Sequence, residues 1–186
     1  RHGEVMHPVG PWAEANALYV EQTGLAQALK TRQSKSSEES PLRVLDVGLG
    51  AATNAVAALT CARELGSALV RPLEIVSLEC DLDPLRLALD DSEGFPFLQP
   101  WRNACEAILS RGHWQAPNLS WRLLHGDAQE LVHELDGDYE LVFFDPFSPE
   151  SNPPLWTPRF LRAIASRMRP QGAKLATYSS ATPTRW

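Results

Sequence analysis

Residues 141–156 read LVFFDPFSPESNPPLW, and the fold is decided there. The stretch opens as a continuous apolar run with the length of a buried strand, then stops at a carboxylate, Asp145, followed at once by Pro146. In an open α/β sheet the ligand crevice lies at the carboxyl ends of the strands, so Asp145 stands where chemistry is done. Pro146 biases Asp145 toward extended geometry and removes one competing backbone donor, which helps aim the side chain. Taken alone, an Asp before a Pro serves equally well to end a strand and begin a turn. The surrounding chain has to choose between the two.

Working outward, strand and helix signals alternate. Leu42–Val47 is a short β-rich run, Ala51–Leu65 an alanine-rich helix and Leu73–Leu78 a second strand. Asp83-Pro84 supplies an N-cap and a first-turn proline for a helix to about Leu89. Asp90–Pro100 reads as a loop and Trp101–Ser110 as a helix. Leu119–Leu124 is a third strand, Ala128–Leu135 a helix and Tyr139–Phe144 the fourth strand. Thr157-Pro158 caps a helix that Pro170 and Gly172 terminate, and Ala173–Tyr178 is the fifth strand. Strand and helix alternating five times imply a doubly wound, mostly parallel sheet with helices on both faces. Ahead of it, a helical pattern starts at Pro11 and is interrupted near Gly24, and residues 34–40, SKSSEES, form a polar linker. The expected division is an N-terminal helical extension and linker, 1–40, and a Rossmann-like domain, 41–186. The usual closing hairpin of such a domain is expected to be missing after the fifth strand.

Chemistry-bearing residues fall on successive strand ends. Asp46-Val47-Gly48-Leu49-Gly50 lies where the first strand turns into its helix, so Gly48 and Gly50 let backbone approach a ligand. Ala51-Ala52-Thr53 follows, leaving the third glycine of a GxGxxG pattern unfilled. Glu79 ends the second strand, where an acid accepts hydrogen bonds from ribose hydroxyls or begins a solvated turn. Asp127, after the third strand, either receives an adenine amino group or caps a helix. A nicotinamide fold accounts for the glycines and Glu79 but gives Asp127 and Asp145 no duty. Methyltransferases with an adenosyl cofactor resemble the whole set.

Composition narrows the classes. No apolar run approaches the roughly 18 residues of a membrane span, and no basic-then-apolar leader is seen. Cys61, Cys80 and Cys105 are widely spaced, without a CxxC pair, and read as reduced cytoplasmic thiols; with five scattered histidines they suggest no metal site. The net charge of −6 is uneven: residues 1–150 hold all 23 acids and 11 basic residues, net −12, whereas 151–186 hold six basic residues and no acid. An acidic protein can thus offer a local cationic face to a polyanion, although a solvated helix face gives the same pattern. On the helix after Thr157, Phe160, Leu161, Ile164 and Met168 share one face and Arg159, Arg162 and Arg169 the opposite one.

The sequence resembles a specific family, the methyltransferase half of the bacterial bifunctional enzyme completing 5-methylaminomethyl-2-thiouridine at the tRNA wobble position, with its stand-alone relatives. The likeness is strongest from Gly126-Asp127 through Phe144-Asp145-Pro146-Phe147-Ser148-Pro149, Asn152-Pro153 and Leu155-Trp156-Thr157 to Leu175–Ser180. Weaker matches lie at Gly48–Asn54, at Leu78-Glu79 with Pro84-Leu85, and in the opening GEVMHPVGPWAEAN. The sequence departs from the family at Ala52, where another glycine is usual, at Pro146, where many members have glycine, and at Ser151, where many have lysine. Asn152-Pro153-Pro154-Leu155 imitates the signature of DNA amino-methyltransferases but sits well past the strand end, and reads as loop scaffold.

The resemblance implies a class I S-adenosylmethionine-dependent methyltransferase acting on an aminomethyl-uridine in tRNA, with no metal and no membrane. Gly48, Gly50, Glu79, Asp127 and Asp145 are the expected cofactor residues. Asp145 is expected to orient the amine and stabilise its developing charge, and Phe147 to flank the methyl path. Trp156 and Tyr178 are expected to stack on the uracil, with core packing the competing duty, and Arg159 and Arg162 to meet tRNA phosphates. Two other readings stay open: methylation of a small-molecule amine or another RNA, and a non-catalytic cofactor-binding subunit.

Overall fold

The computed structural model of the chain describes residues 10–32 and 40–178. The stretch before Gly10, the polar linker apart from Ser40, and Ser179-Ser180 lie outside the described residues. Strand β1 (Leu42–Val47) pairs in parallel with β2 (Leu73–Glu79) on one side and with β5 (Leu141–Phe144) on the other. Two further strands β4 (Leu119–His125) and β6 (Lys174–Ala176) extend the sheet in parallel beyond β2 and β5. The edge strand β3 (His113–Ala116) runs antiparallel to β4, giving the order β3-β4-β2-β1-β5-β6.

All five expected strands are therefore present, and β3 is an addition to them. Its four residues join β4 through Pro117-Asn118, with Asn118 in the left-handed region at φ 61, the positive φ that a type II turn with proline at its first central position places at the second. A run this short, exposed and intermediate by turns, carries too little apolar pattern to separate from a loop.

Side chains along each central strand alternate between the two faces, the period-2 geometry of a strand buried on both sides. Leu42, Val44, Leu73, Ile75, Leu141 and Phe143 point into one core, and Leu45, Val47, Val76, Leu78, Val142 and Phe144 into the other. The first core is roofed by α3 (Thr53–Leu65), α4 (Asp83–Asp90) and α5 (Arg102–Arg111). The second lies under α6 (Ala128–Leu131) and α7 (Pro158–Ala165). Phe160, Leu161 and Ile164 of α7 are buried and Arg159 and Arg162 exposed, as the 100° periodicity requires. Arg169 leaves that row: its guanidinium pairs with Asp138 at 3.1 Å and Glu140 at 3.2 Å.

The segment ahead of β1 joins the same core. Helix α1 (Pro11–Glu14) runs into a π-helical stretch, Ala15–Glu21, and α2 (Leu25–Lys30) follows after Gly24, which breaks the helix at φ 73. Ala15, Tyr19, Val20, Leu25 and Leu29 are buried in the first core beside the alanines of α3. Two helix starts differ from expectation. Asp83 opens α4 as a first-turn residue behind Leu82, while the Asp81 carboxylate accepts from its N–H at 2.9 Å. Helix α3 begins at Thr53, because Ala52 takes the left-handed conformation, φ 62, that closes the glycine turn.

Candidate functional site

Strand order reverses between β1 and β5, and at such a switch point the following loops part to leave a crevice. The register sets its edge: Val47 lies opposite both Leu78 and Phe144, and Glu79 opposite His125. Gly48, Glu79, Gly126-Asp127 and Asp145 consequently emerge side by side. They line one cleft of about 570 Å³, together with Gly50, Asn54, Phe95, Phe147 and others, a size suited to a cofactor.

Gly48 is the hinge of this arrangement. Its φ is +90, and a Cβ there would meet the Asp145 carbonyl oxygen at 2.7 Å, so only glycine admits the close approach of the β1 and β5 ends. Gly50, at φ +52, has open space where its Cβ would be, leaving backbone bare toward the cleft. The Glu79 carboxylate organises the adjoining turns, accepting from Gly50 N–H at 2.9 Å through one oxygen and from Cys80 and Asp81 N–H at 2.8 and 3.0 Å through the other. Asp127 caps α6 by accepting from Gln129 N–H at 2.8 Å, and it also faces the cleft.

Asp145 is gripped by two side chains that the sequence reading left without a role. The Tyr19 hydroxyl donates to its Oδ1 at 2.9 Å, and the Asn54 amide to its Oδ2 at 2.7 Å. Burial first, and then the Asp145 charge, push the Tyr19 phenol well above its ordinary value, so the proton stays on the donor. Asn54 carried one local signal, a polar residue in the first turn of an alanine helix directly after the glycine turn. Tyr19 carried none, since its partner lies 126 positions away.

Below the glycine turn, Asp46 is 1% exposed and accepts from Ser77 Oγ at 2.7 Å, Ser77 in turn receiving the Trp121 indole N–H at 3.0 Å. Burial pushes this carboxyl up to about 8, the Asp145 and Glu79 charges adding to the effect and the Ser77 hydrogen bond opposing it.

The aromatic residues divide. Phe147 is 52% exposed and forms part of the cleft lining. Trp156 is 4% exposed, meets the Phe144 ring edge-on at 5.0 Å and donates its indole N–H to Phe147 O at 2.7 Å. Tyr178 packs edge-on against Trp156 at 6.3 Å and donates its hydroxyl to Pro146 O at 3.1 Å. Both brace the Asp145–Phe147 loop, the duty that competed with stacking: the 3₁₀ turn Pro153–Trp156 tucks the Trp156 indole under it, and Tyr178 stays half-buried beside Trp156. Asn152, Pro154 and Leu155 of the same segment reach the cleft wall. Among the described residues no group of three or more His, Cys, Asp or Glu side chains is placed to hold a metal ion, and no helix is long and apolar enough to cross a membrane.

Residues 97–186 match the model of a family described as S-adenosyl-L-methionine-dependent methyltransferase. The cleft suits that cofactor, with bare backbone at Gly50 and carboxylates at Glu79 and Asp127 on neighbouring strand ends. Fold and cleft together define a Rossmann-like α/β domain, and its residues 97–186 are similar to the S-adenosylmethionine-dependent methyltransferase class. Within that class the chain is similar, over its full length, to the tRNA 5-methylaminomethyl-2-thiouridine biosynthesis bifunctional protein MnmC. The Paracidovorax citrulli protein is 27% identical over 194 residues, covering 100% of this chain and 29% of that protein. The Pseudomonas aeruginosa protein is 31% identical over 146 residues, covering 73% of this chain and 22% of that protein. The crystal structure of MNMC2 from Aquifex aeolicus superposes with a TM-score of 0.70 at 30% identity, covering 92% of this chain and 52% of that one. This chain thus spans less than a third of those bifunctional relatives and about half of the Aquifex chain.

Proposed function

We propose that this methyltransferase acts on the aminomethyl nitrogen of a tRNA wobble uridine, converting 5-aminomethyl-2-thiouridine to 5-methylaminomethyl-2-thiouridine. The observation that carries the reading is Asp145, whose backbone packs against the Gly48 turn and whose carboxylate is held at the cleft by Tyr19 and Asn54, next in the chain but one to the exposed Phe147 ring. Relatives named for tRNA 5-methylaminomethyl-2-thiouridine biosynthesis support the choice of substrate.

When bound, S-adenosylmethionine supplies an electrophilic methyl group. The residues of the chain supply the geometry. Gly48, Gly50, Glu79 and Asp127 hold the cofactor along the strand ends. Asp145 accepts an N–H of the neutral amine, aims its lone pair down the cleft and stabilises the positive charge that grows on nitrogen as the methyl–nitrogen bond forms and the methyl–sulfur bond breaks. The extra proton then passes from the ammonium to solvent. Phe147 flanks the path and offers its face to the unpaired base. Holding both partners in line contributes up to about 7–11 kcal/mol. Arg159 and Arg162, exposed on α7, meet tRNA phosphates. Trp156 and Tyr178 act on the substrate only by holding the loop that carries Asp145 and Phe147.

The test incubates the protein with labelled cofactor and tRNA bearing aminomethyl-uridine, then digests to nucleosides. A wobble nucleoside one methyl heavier is expected, with turnover about 100-fold lower or worse in Asp145→Asn. Label appearing only in free amines, or full turnover in the variant, overturns the reading.

A further inference from the structure

We infer that Tyr19 and Asn54 are positioning residues which set the Asp145 carboxylate for the reacting nitrogen, making the helical segment ahead of β1 a working part of the catalytic site. The inference rests on the reading of Asp145 as the group that faces the amine.

An aspartate side chain turns easily about its terminal torsion, whose energy well is broad. One donor on one oxygen leaves that rotation open, whereas donors on both oxygens from separate elements define the carboxylate plane. Tyr19 Oη and Asn54 Nδ2 provide such a pair, from the π-helical stretch and from the first turn of α3. Neither donor is free to wander. The Tyr19 ring is 1% exposed and packs on Phe143 at 5.2 Å, and its carbonyl accepts from Thr23 Oγ1 at 2.7 Å. Asn54 is 6% exposed and follows the glycine turn by four residues, so it ties the carboxylate to the same backbone that approaches the cofactor.

Core packing does not explain this choice of residues. A phenylalanine at position 19 fills the same space without a hydroxyl to satisfy, and a leucine at 54 fills that of asparagine. Two buried polar groups from different elements instead converge on one cleft-lining carboxylate. Their donated hydrogen bonds stabilise its negative charge, so Asp145 works as a fixed anionic acceptor whose direction is decided before substrate arrives. The N-terminal segment also reaches the cleft through Pro11, so a displacement of that layer moves both a wall and the carboxylate's anchor.

The test uses two ligands and the full chain. Sinefungin carries an amino group on the carbon that replaces the methyl-bearing sulfur, and S-adenosylhomocysteine lacks any group there. The ratio of their dissociation constants reads how well Asp145 meets a cation at the methyl position, without needing tRNA. The parent is expected to prefer sinefungin by about 10-fold or more, as a charge-assisted hydrogen bond gives. Tyr19→Phe and Asn54→Leu should each cut that preference about 5-fold or more, with S-adenosylhomocysteine affinity within about 3-fold of the parent. In an Asp145→Asn background neither change should matter, an outcome that a merely structural role does not produce. The inference is overturned by a parent without the preference, by variants that keep it, by equal loss of both ligands, or by losses that persist beside Asp145→Asn. Should one variant fail to fold, the other decides alone. Preference intact with no methyl reaching tRNA overturns the substrate reading only.

Discussion

Gly48 packs against the Asp145 peptide so closely that an added Cβ would stand 2.7 Å from the carbonyl oxygen and 2.9 Å from the carbonyl carbon of Asp145. The end of β1, where the glycine turn starts, and the end of β5, where Asp145 stands, are therefore one contact. Gly48→Ala meets that backbone clash and a φ of +90 together. A loss of about 2 kcal/mol or more in stability is expected, with a cofactor affinity at least 10-fold weaker. Urea unfolding and calorimetric titration check it, and a variant matching the parent in both rejects the account of this turn.

Arg71 lies at the opposite end of the sheet, with its side chain fully buried. It donates to both Glu140 oxygens and to the carbonyls of Ser40 and Pro41. Removing one member of such a pair strands the other's charge, at a cost of about 3 kcal/mol or more. Arg71→Met should lower stability by that amount, somewhat softened because Arg169 still reaches Glu140. The double change Arg71→Met with Glu140→Met should recover at least about 1 kcal/mol, since no buried charge is then left alone. Chemical denaturation midpoints decide, and a double variant weaker than the single one rejects this view.

These relationships also separate what is legible in a sequence from what is not. Runs such as 141–144 announce central strands because burial on both faces demands unbroken apolar character. Successive parallel strands then place Gly48, Glu79, Asp127 and Asp145 on one rim without further information. The hairpin strand at 113–116 stayed hidden, since edge pairing imposes little pattern on four half-exposed residues. Trp156 shows a different limit. Its identity says that it is large and flat, whereas which face remains open is settled by the turn that folds it beneath Phe147 O. Tyr19 shows the sharpest, because a hydrogen bond between distant residues leaves no local trace.

The buried carboxyl of Asp46 makes stability depend on pH. Its folded value is raised to about 8, burial being the main cause, while an unfolded aspartate titrates near 3.9. Between these values the folded chain holds a proton that the unfolded chain has lost, so stability falls as pH rises. The contribution is complete below about pH 4 and is gone once pH has passed through about 8. Asp46→Asn keeps an acceptor for the Ser77 hydroxyl and cannot ionise. The stability of the parent should therefore decline from pH 5 to 8.5 more steeply than that of the variant. Denaturant midpoints across that range measure the difference, and parallel slopes remove Asp46 as its source.

Arg159 and Arg162 lie exposed on α7, whose buried face carries Phe160, Leu161 and Ile164. That helix follows the Pro153–Trp156 turn, so a chain held there also passes the loop bearing Asp145 and Phe147. Each arginine that neutralises a phosphate adds slightly less than one unit to the slope of log affinity against log salt. The pair Arg159→Glu and Arg162→Glu should then flatten that slope by about 1.5 to 2, with cofactor affinity unchanged. Arg169 provides the contrast: its charge is engaged by Asp138 and Glu140, so Arg169→Gln should cost stability and leave the tRNA slope alone. Filter-binding titrations over a range of salt distinguish the two. If the double reversal leaves the slope as it was, α7 is a solvated helix face and the tRNA backbone is held elsewhere.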